Sequence, residues 1–372
     1  MSGKTVLLLG SFAPSLVHFR GSLIAAIAKR GHKVIAAAPS IAPDMAEKLR
    51  QLGAEPRELR LVNASLNPAS MLQSLRQLRA LIREIMPDVL IAYTIKPVIL
   101  GALAGKAEGV ARIVSLITGV GYAFTGGREL KRLVSRAIAA PLYRLALARA
   151  DTVIFQNRDD EALFRKLGLV SRDRRTEIVN GSGIDLDHFA PAALPDRPSF
   201  LMIARLLKDK GIREFALAAK RLKADHPDVS VTLVGYLDPS PDSLTQTELD
   251  DLIRHGIDYK GALSDVRPAI AEATVYVLPS YREGTPRSVL EAMSMGRAII
   301  TTDAPGCRET VEHGRSGLLI PPRDADALYD AMMRFVSEPG LAAQMGPKSR
   351  ALAEIKYDVH KVNSEMLRHA DL

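Results

Sequence analysis

Short apolar runs alternate with longer helical patterns along this chain, and the alternation happens twice. Runs rich in Leu, Ile and Val at 5–9, 33–38, 88–92, 111–116, 152–155 and 176–179 read as strands, and the stretches 18–30, 42–52, 69–85, 97–107, 129–149 and 159–167 read as helices. Strands without polar alternation are buried on both faces, which means parallel sheets covered by helices. The pattern breaks from Leu186 to Ser199, where Pro191, Pro195 and Pro198 mark a linker. A second series follows, with strands at 200–204, 229–234 and 274–278 and helices from about 211 and in 244–255. The expected class is α/β: two doubly wound Rossmann-like domains with an interdomain cleft. The boundaries read as 1–185, a linker 186–199, a second domain 200–355, and a last helix 356–372 that packs back on the N-terminal domain. In such sheets ligands bind beyond the carboxyl ends of the strands.

At 372 residues the chain is long enough for two cores. Its net charge of +8 is uneven: residues 1–190 carry 27 Lys and Arg against 16 Asp and Glu, and the remainder carries 23 against 26. The N-terminal half therefore suits an anionic partner, either a membrane surface or a diphosphate-bearing acceptor. Nucleic acid is set aside, because aromatic residues make up only 5%, Trp is absent and no nucleic-acid module signature occurs. The single cysteine, Cys307, allows no intramolecular disulfide, which fits a reducing cytosol. The apolar start, Thr5 to Gly10, is short and lacks a small-residue cleavage site, so it reads as a strand and not a signal peptide. No uncharged apolar run approaches the roughly 18 residues of a membrane span. The first loop, Gly10 to His18, contains Pro14 and no second glycine, so there is no dinucleotide fingerprint.

Two constellations carry chemistry. In Pro279-Ser-Tyr-Arg-Glu-Gly-Thr-Pro-Arg-Ser-Val-Leu-Glu291, Glu283 and Glu291 bracket a helix start. Thr285 is expected to cap it and Pro286 to take the first helical position. Backbone N–H groups at such a start hold phosphate. Alternatively, Glu291 pairs with Arg287 one turn back on a surface helix, and Glu283 is a plain loop acid. The second constellation is Arg205 and Lys210, which flank the loop after the first strand of the second domain. Arg offers a planar fork to phosphate oxygens and Lys a point charge; the alternative is a pair of solvated loop cations.

With these parts in this order, the sequence resembles the GT-B glycosyltransferases, specifically the retaining enzymes of family 4, over nearly its whole length. Gly261 in Tyr259-Lys-Gly-Ala, Asp303 to Glu309, and Gly314 to Leu319 complete the pattern. The resemblance implies that Arg205 and Lys210 bind the donor diphosphate and Glu291 the ribose. It implies that Glu283, with the backbone of Gly284, Thr285 and Pro286, contacts donor sugar and phosphate, that Val289 belongs to the donor site, and that the segment around Gly261 holds the base. Arg205, Lys210 and Glu283 are the residues expected to act on the reaction itself. In the N-terminal half, His18-Phe-Arg, Ser65-Leu-Asn-Pro, Thr94-Ile-Lys-Pro and Thr118-Gly-Val-Gly-Tyr-Ala-Phe are similar to bacterial enzymes that extend lipid-linked oligosaccharides, among them N-acetylgalactosaminyl transferases acting on undecaprenyl-diphosphate-linked bacillosamine. His18, Lys96, Gly121 and Tyr122 are the implied acceptor residues. His18, which opens the first helix, reads equally as a capping or core histidine, and Lys96 equally as a surface lysine. The Gly-Gly usual in the family's first loop is replaced by Ala13-Pro14-Ser15.

Between Arg128 and Arg149, Leu130, Leu133, Val134, Ile138, Leu142 and Leu145 recur at helical spacing among Arg128, Lys131, Arg132, Arg136, Arg144 and Arg149. The segment reads equally as a core-packed helix with solvated arginines and as an amphipathic segment on anionic lipid; a helix whose apolar stripe serves the core and whose cations, Arg128, Lys131, Arg132 and Arg136 first, meet lipid satisfies both. Asp185-Leu-Asp187 is formally D-x-D but heads into the linker and is rejected as a metal site. The expected activity is transfer of a hexose, N-acetylhexosamine by preference, from a UDP-sugar to a lipid-diphosphate-linked saccharide at the inner face of the cytoplasmic membrane. No cofactor is expected, the UDP-sugar being a co-substrate. A sugar-nucleotide epimerase and a non-catalytic sugar or lipid-diphosphate binding protein are the rival readings.

Overall fold

The computed structural model describes residues 3–59, 68–121, 124, 130–238, 240, 242–338 and 340–372, with the side chains of 68, 69 and 130–135 excepted. Contacts divide the chain into two compact units: Met1–Ser182 with His360–Leu372, and Gly183–Val359.

The first unit holds seven parallel strands: β1 Thr5–Leu9, β2 Lys33–Ala38, β3 Ala54–Glu58, β4 Val89–Tyr93, β5 Arg112–Ile117, β6 Thr152–Phe155 and β7 Thr176–Ile178. They lie in the order β3-β2-β1-β4-β5-β6-β7. Helices α1 Ala13–His18, α2 Gly21–Lys29, α3 Pro43–Gln51, α4 Pro68–Ile85, α5 Ile95–Ala107, α6 Leu130–Leu147 and α7 Arg158–Lys166 connect them. Alternate residues of the inner strands enter opposite cores: Leu7 and Leu9 join Ile35, Leu90 and Phe155 on one face, and Val6 and Leu8 join Ala36, Ile91 and Leu116 on the other. This two-faced burial is why the strands read as unbroken apolar runs. β3 escaped the sequence reading because Ala-Glu-Pro-Arg-Glu has no apolar signal; as an edge strand it tolerates Pro56.

The second unit repeats the plan with β8 Ser199–Ile203, β9 Ser230–Val234, β10 Asp258–Tyr259, β11 Val275–Leu278, β12 Ala298–Thr302 and β13 Gly317–Ile320, in the order β10-β9-β8-β11-β12-β13, all parallel. Its helices are α8 Ile212–Asp225, α9 Gln246–Arg254, α10 Arg267–Ala271, α11 Arg287–Ser294, α12 Ala325–Ser337 and α13 Leu341–Lys356. The proline-rich segment before β8 is fastened to this unit. Arg297, fully buried, donates to the carbonyls of Ala192 and Ala193 in that segment and of Ala273 and Met295 beside it. Burial lowers its pKa to about 10. Arg350 adds bonds to the carbonyls of Leu186, Phe189 and Ser294.

The last helix, α14 Val359–His369, returns to the first unit. Val362, Met366 and Leu367 enter the same core as Val6 and Leu8. Arg112 pairs with Asp371 at 3.1 Å and donates to the carbonyl of His369, and Lys4 donates to that of Asp371.

Candidate active site

In the second sheet the chain order reverses between β8 and β11, so the loops after these two strands diverge to opposite faces and leave a crevice at their carboxyl ends. Lys210 comes from the first loop and Glu283 from the second, and they meet there. Lys210 Nζ donates to Glu283 Oε1 at 2.6 Å, with the two side chains only 17% and 14% exposed. Burial opposes the ammonium's charge, but the carboxylate outweighs it and holds the Lys210 pKa above its ordinary value. Ser280 Oγ donates to the same carboxylate oxygen at 2.8 Å. That oxygen is therefore fixed by a cation and a hydroxyl, the wrong setting for a free base or nucleophile. The backbone is cross-tied as well: Tyr281 N–H donates to the carbonyl of Asp209, and Glu283 N–H to that of Pro305.

Two glycines permit this closeness. Gly211 has φ +72°, and a Cβ there would stand 2.0 Å from the carbonyl oxygen of Pro279. Gly306 has φ +80°, and its Cβ would stand 2.1 Å from that of Glu283. Both values are far inside contact distance, so neither position accepts a side chain without moving the Glu283 loop. Cys307 lies buried beneath, its thiol pushed up to about 12 chiefly by burial and also by the Glu283 charge.

Helix α11 begins one residue later than expected. Pro286 is its N-cap, with φ −74° and ψ 107°, and its carbonyl accepts from the N–H groups of Val289 and Leu290. Proline's fixed φ suits this extended cap as well as a first helical position, and ψ decides between them. The N-terminus still opens beside Glu283, so its dipole favours an anion there. Glu291 does pair with Arg287, at 3.1 Å, but its side chain is 13% exposed, not a surface acid. Burial raises its carboxyl pKa, and Arg287 only partly offsets this. Val289 is buried in the core under the same turn.

Arg205, half exposed, is held by Asp238 at 3.3 Å, a partner with no sequence signal. Gly261 follows β10. Its carbonyl accepts from Gly235 N–H at 2.9 Å, and Tyr259 hydroxyl donates to the carbonyl of Gly235 at 2.9 Å. Arg205, Lys210, Gly261, Glu283, Gly284, Thr285, Pro286 and Glu291 thus all stand at the carboxyl edge of one sheet. Ser280 and Gly306 are additions that sequence reasoning did not single out, although both lie inside stretches quoted for the motif.

The first sheet reverses between β1 and β4, and a second cluster occupies that point. Tyr93 hydroxyl and Ser15 Oγ are 2.8 Å apart, and Thr94 Oγ1 donates to Ser11 Oγ at 2.8 Å. Thr94 adopts φ +68° and ψ 159°, a region that disfavours a β-branched side chain and that tertiary contacts must enforce. His18 does not open a helix: α1 ends on it, because the helix starts at Ala13 with Pro14 in its first turn, and the His18 side chain is exposed. Lys96 is not a surface lysine. It is buried in the first turn of α5, and desolvation lowers its pKa. Gly121, at φ +71°, lies against Ile95, whose Cδ1 would be 2.3 Å from a Cβ. Tyr122 and Arg128 lie outside the described residues, as do the side chains of Lys131 and Arg132; Arg136 is exposed.

The apolar stripe of α6 is turned differently from the expected one. Leu142 packs against the core as expected, and Ala139, Tyr143, Ala146 and Leu147 enter it, whereas Ile138 and Leu145 are 41% and 46% exposed; the side chains of Leu130, Leu133 and Val134 lie outside the described ones. The smaller residues and the tyrosine pack best against α5 and α7, with Tyr143 edge-on to Phe124 and Phe164. Among the described residues no helix is long and apolar enough to cross a membrane.

The chain is similar to known proteins along most of its length. Residues 17–181 match a family model described as a glycosyl transferase 4-like domain, and residues 197–338 match one described as glycosyl transferases group 1. The chain is a glycosyltransferase. A relative from Campylobacter jejuni, N,N'-diacetylbacillosaminyl-diphospho-undecaprenol alpha-1,3-N-acetylgalactosaminyltransferase, is 29% identical over 371 residues, covering 96% of each chain. An Escherichia coli relative, UDP-Gal:alpha-D-GlcNAc-diphosphoundecaprenol alpha-1,3-galactosyltransferase, is 27% identical over 72% of this chain and 71% of its own. Among solved structures, sucrose-phosphate synthase from Thermosynechococcus elongatus matches with a TM-score of 0.82 at 20% identity, covering 98% of both chains. Anabaena HepE in complex with UDP and glucose matches with 0.77 at 17% identity, again over 98% of both. This glycosyltransferase has the GT-B fold.

Proposed function

We propose that the protein transfers a hexose, N-acetylhexosamine by preference, from a UDP-sugar to an undecaprenyl-diphosphate-linked saccharide, with retention of anomeric configuration. The observation that carries this reading is the buried Lys210–Glu283 contact across the β8/β11 crevice, beside the N-terminus of α11. A crevice that pairs one buried cation with a helix N-terminus suits a diphosphate. Lys210 has three N–H donors, and its bond to Glu283 leaves two for phosphate oxygens. Arg205 exchanges Asp238 for the same diphosphate, and Glu291 accepts from the ribose hydroxyls.

In the reaction, the bond from the sugar C1 to the diphosphate oxygen breaks and a bond from C1 to an acceptor hydroxyl oxygen forms on the same face. The hydroxyl proton passes to the departing diphosphate, so UDP and the extended acceptor are the products. Arg205, Lys210 and the α11 N-terminus stabilise the charge that builds on the leaving group. Glu283, fixed by Lys210 and Ser280, positions the donor sugar and takes no proton. No cofactor takes part. The lipid-linked acceptor meets the first unit, which carries the basic excess and the buried Lys96, and the enzyme works as a peripheral protein on the inner face of the cytoplasmic membrane.

The test is UDP release across a panel of UDP-sugars, with and without a short-chain prenyl-diphosphate-linked hexosamine. Release that requires both substrates is expected. Conversion of UDP-sugar without acceptor points instead to an epimerase, and binding without release to a non-catalytic protein.

A further inference from the structure

The solvent face of α6 is apolar where a soluble helix is ordinarily polar. Ile138, Pro141 and Leu145 share that face, which Ala148 continues just past the helix, and Arg144 interrupts it. Beside its C-terminal end is a cavity of about 280 Å³, lined by Arg144, Leu147, Arg165, Leu169, Arg172 and Arg174 among others. The four arginines divide into two kinds. Arg165 and Arg174 are structural. Arg165 pairs with Glu161 at 3.0 Å and bonds the carbonyl of Ser171, and Arg174 donates to the carbonyls of Ala148 and Ala150, closing the end of α6. Arg144 and Arg172 are exposed and make no side-chain hydrogen bond or ion pair among the described residues. Hydrogen bonding to Ser171, chiefly, holds the carboxyl of Asp173 below its ordinary value, and the cation that contributes is Arg174, not Arg172. Capping alone needs only the first two arginines; the other two leave uncompensated positive charge at the mouth of a cavity that continues an exposed apolar face. Cations beside apolar side chains on one helix face match the boundary of an anionic bilayer, where phosphates lie above acyl chains.

We propose that the solvent face of α6 and the arginine-lined cavity beside it form a docking surface for anionic phospholipid, with a headgroup phosphate held between Arg144 and Arg172 and with Ile138, Pro141 and Leu145 among the acyl chains. This rests on the reading of the enzyme as a peripheral protein that meets a lipid-linked acceptor, and it locates the contact. α6 runs from the carboxyl edge of the first sheet, after β5, to the opposite edge, before β6. Seated on a membrane, it lays the flank of the unit along the surface and leaves the β1/β4 loops free at its edge.

The test is sedimentation of the full chain with vesicles of phosphatidylglycerol and phosphatidylcholine, against phosphatidylcholine alone, at low salt. Each basic residue near an anionic surface contributes about five-fold to binding, so R144Q/R172Q lowers it by about 25-fold. The matched control K48Q/R50Q, on α3 at the far edge of the same sheet, lowers it far less. Leu145→Ser weakens binding to the same vesicles without any change in charge. Equal loss in both double variants, or no loss in R144Q/R172Q, overturns the proposal. These side chains are exposed, and thermal unfolding checks that the variants remain folded. UDP release with the water-soluble acceptor stays at the wild-type level in R144Q/R172Q. Should the wild-type enzyme release no UDP at all, the transferase reading fails while the vesicle result stands by itself.

Discussion

Replacing Lys210 by Met separates what the Lys210–Glu283 pair does for the fold from what it does for the reaction. The two groups are 2.6 Å apart and largely excluded from water. Removing one partner of such a pair strands the other, at a cost of about 3 kcal/mol, the low end of the range because both remain slightly exposed. Ser280 still donates to Glu283, which keeps the loss from growing. The variant also loses a charged donor to the diphosphate, about 1.5–3 kcal/mol, or about ten- to 150-fold in UDP affinity and in rate. A single substitution confounds the two effects; the pair of substitutions does not. In K210M/E283Q no buried charge is left unpaired, so stability by urea unfolding returns to near the wild-type value. UDP affinity by calorimetry stays as low as in K210M, because the cation is still missing. A double variant that binds UDP as well as the wild type refutes the assignment and leaves Lys210 a structural residue.

Three further outcomes follow from the same geometry. Burial raises the Glu291 pKa, so the folded state holds that proton more tightly than the unfolded chain; below the ordinary glutamate value ionisation costs nothing, and as pH rises from there through the folded value it comes to cost stability. Glu291→Gln is therefore stabilising at neutral pH and neutral at low pH, while UDP binding loses its acidic limb, both readable from unfolding and calorimetry across pH. Gly306→Ala places a Cβ 2.1 Å from the Glu283 carbonyl oxygen; kcat falls more than ten-fold with the loop displaced, and unchanged kcat at unchanged stability shows that the loop position does not matter. Arg297→Met leaves the carbonyls of Ala192, Ala193, Ala273 and Met295 without their buried donor; a loss of at least about 3 kcal/mol is expected in urea unfolding, and a loss below about 1 kcal/mol rules out the fastening role.

The two sheets were legible because parallel strands buried on both faces leave continuous apolar runs. β3 was not legible, since an edge strand of Ala-Glu-Pro-Arg-Glu buries only Ala54 in the core and carries no apolar run. At the site, Lys210, Glu283 and Glu291 could be read from charge placed at a strand-to-helix turn. Their partners could not. Asp238 reaches Arg205 from a different loop, and Ser280 reaches Glu283 from within the motif, through side-chain geometry that no spacing encodes. The helical period of α6 was evident but its rotation was not. Ile138 and Leu145 look like core residues until Ala139 and Tyr143 are seen to fill that place. Only the packing partners of a helix decide which of two adjacent stripes faces inward.

α14 completes the core of the first unit although the whole of the second unit, from Gly183, precedes it. The first half of this enzyme is therefore not a contiguous cassette, and the second is inserted within it. Exchanging the donor half for that of a relative requires two junctions, one near Ser182 and one near Val359, and a recombinant spliced at the first alone receives a foreign α14 under Val6 and Leu8. During synthesis, too, the first unit lacks Val362, Met366 and Leu367 until the second has been made, so its final closure waits on the end of the chain.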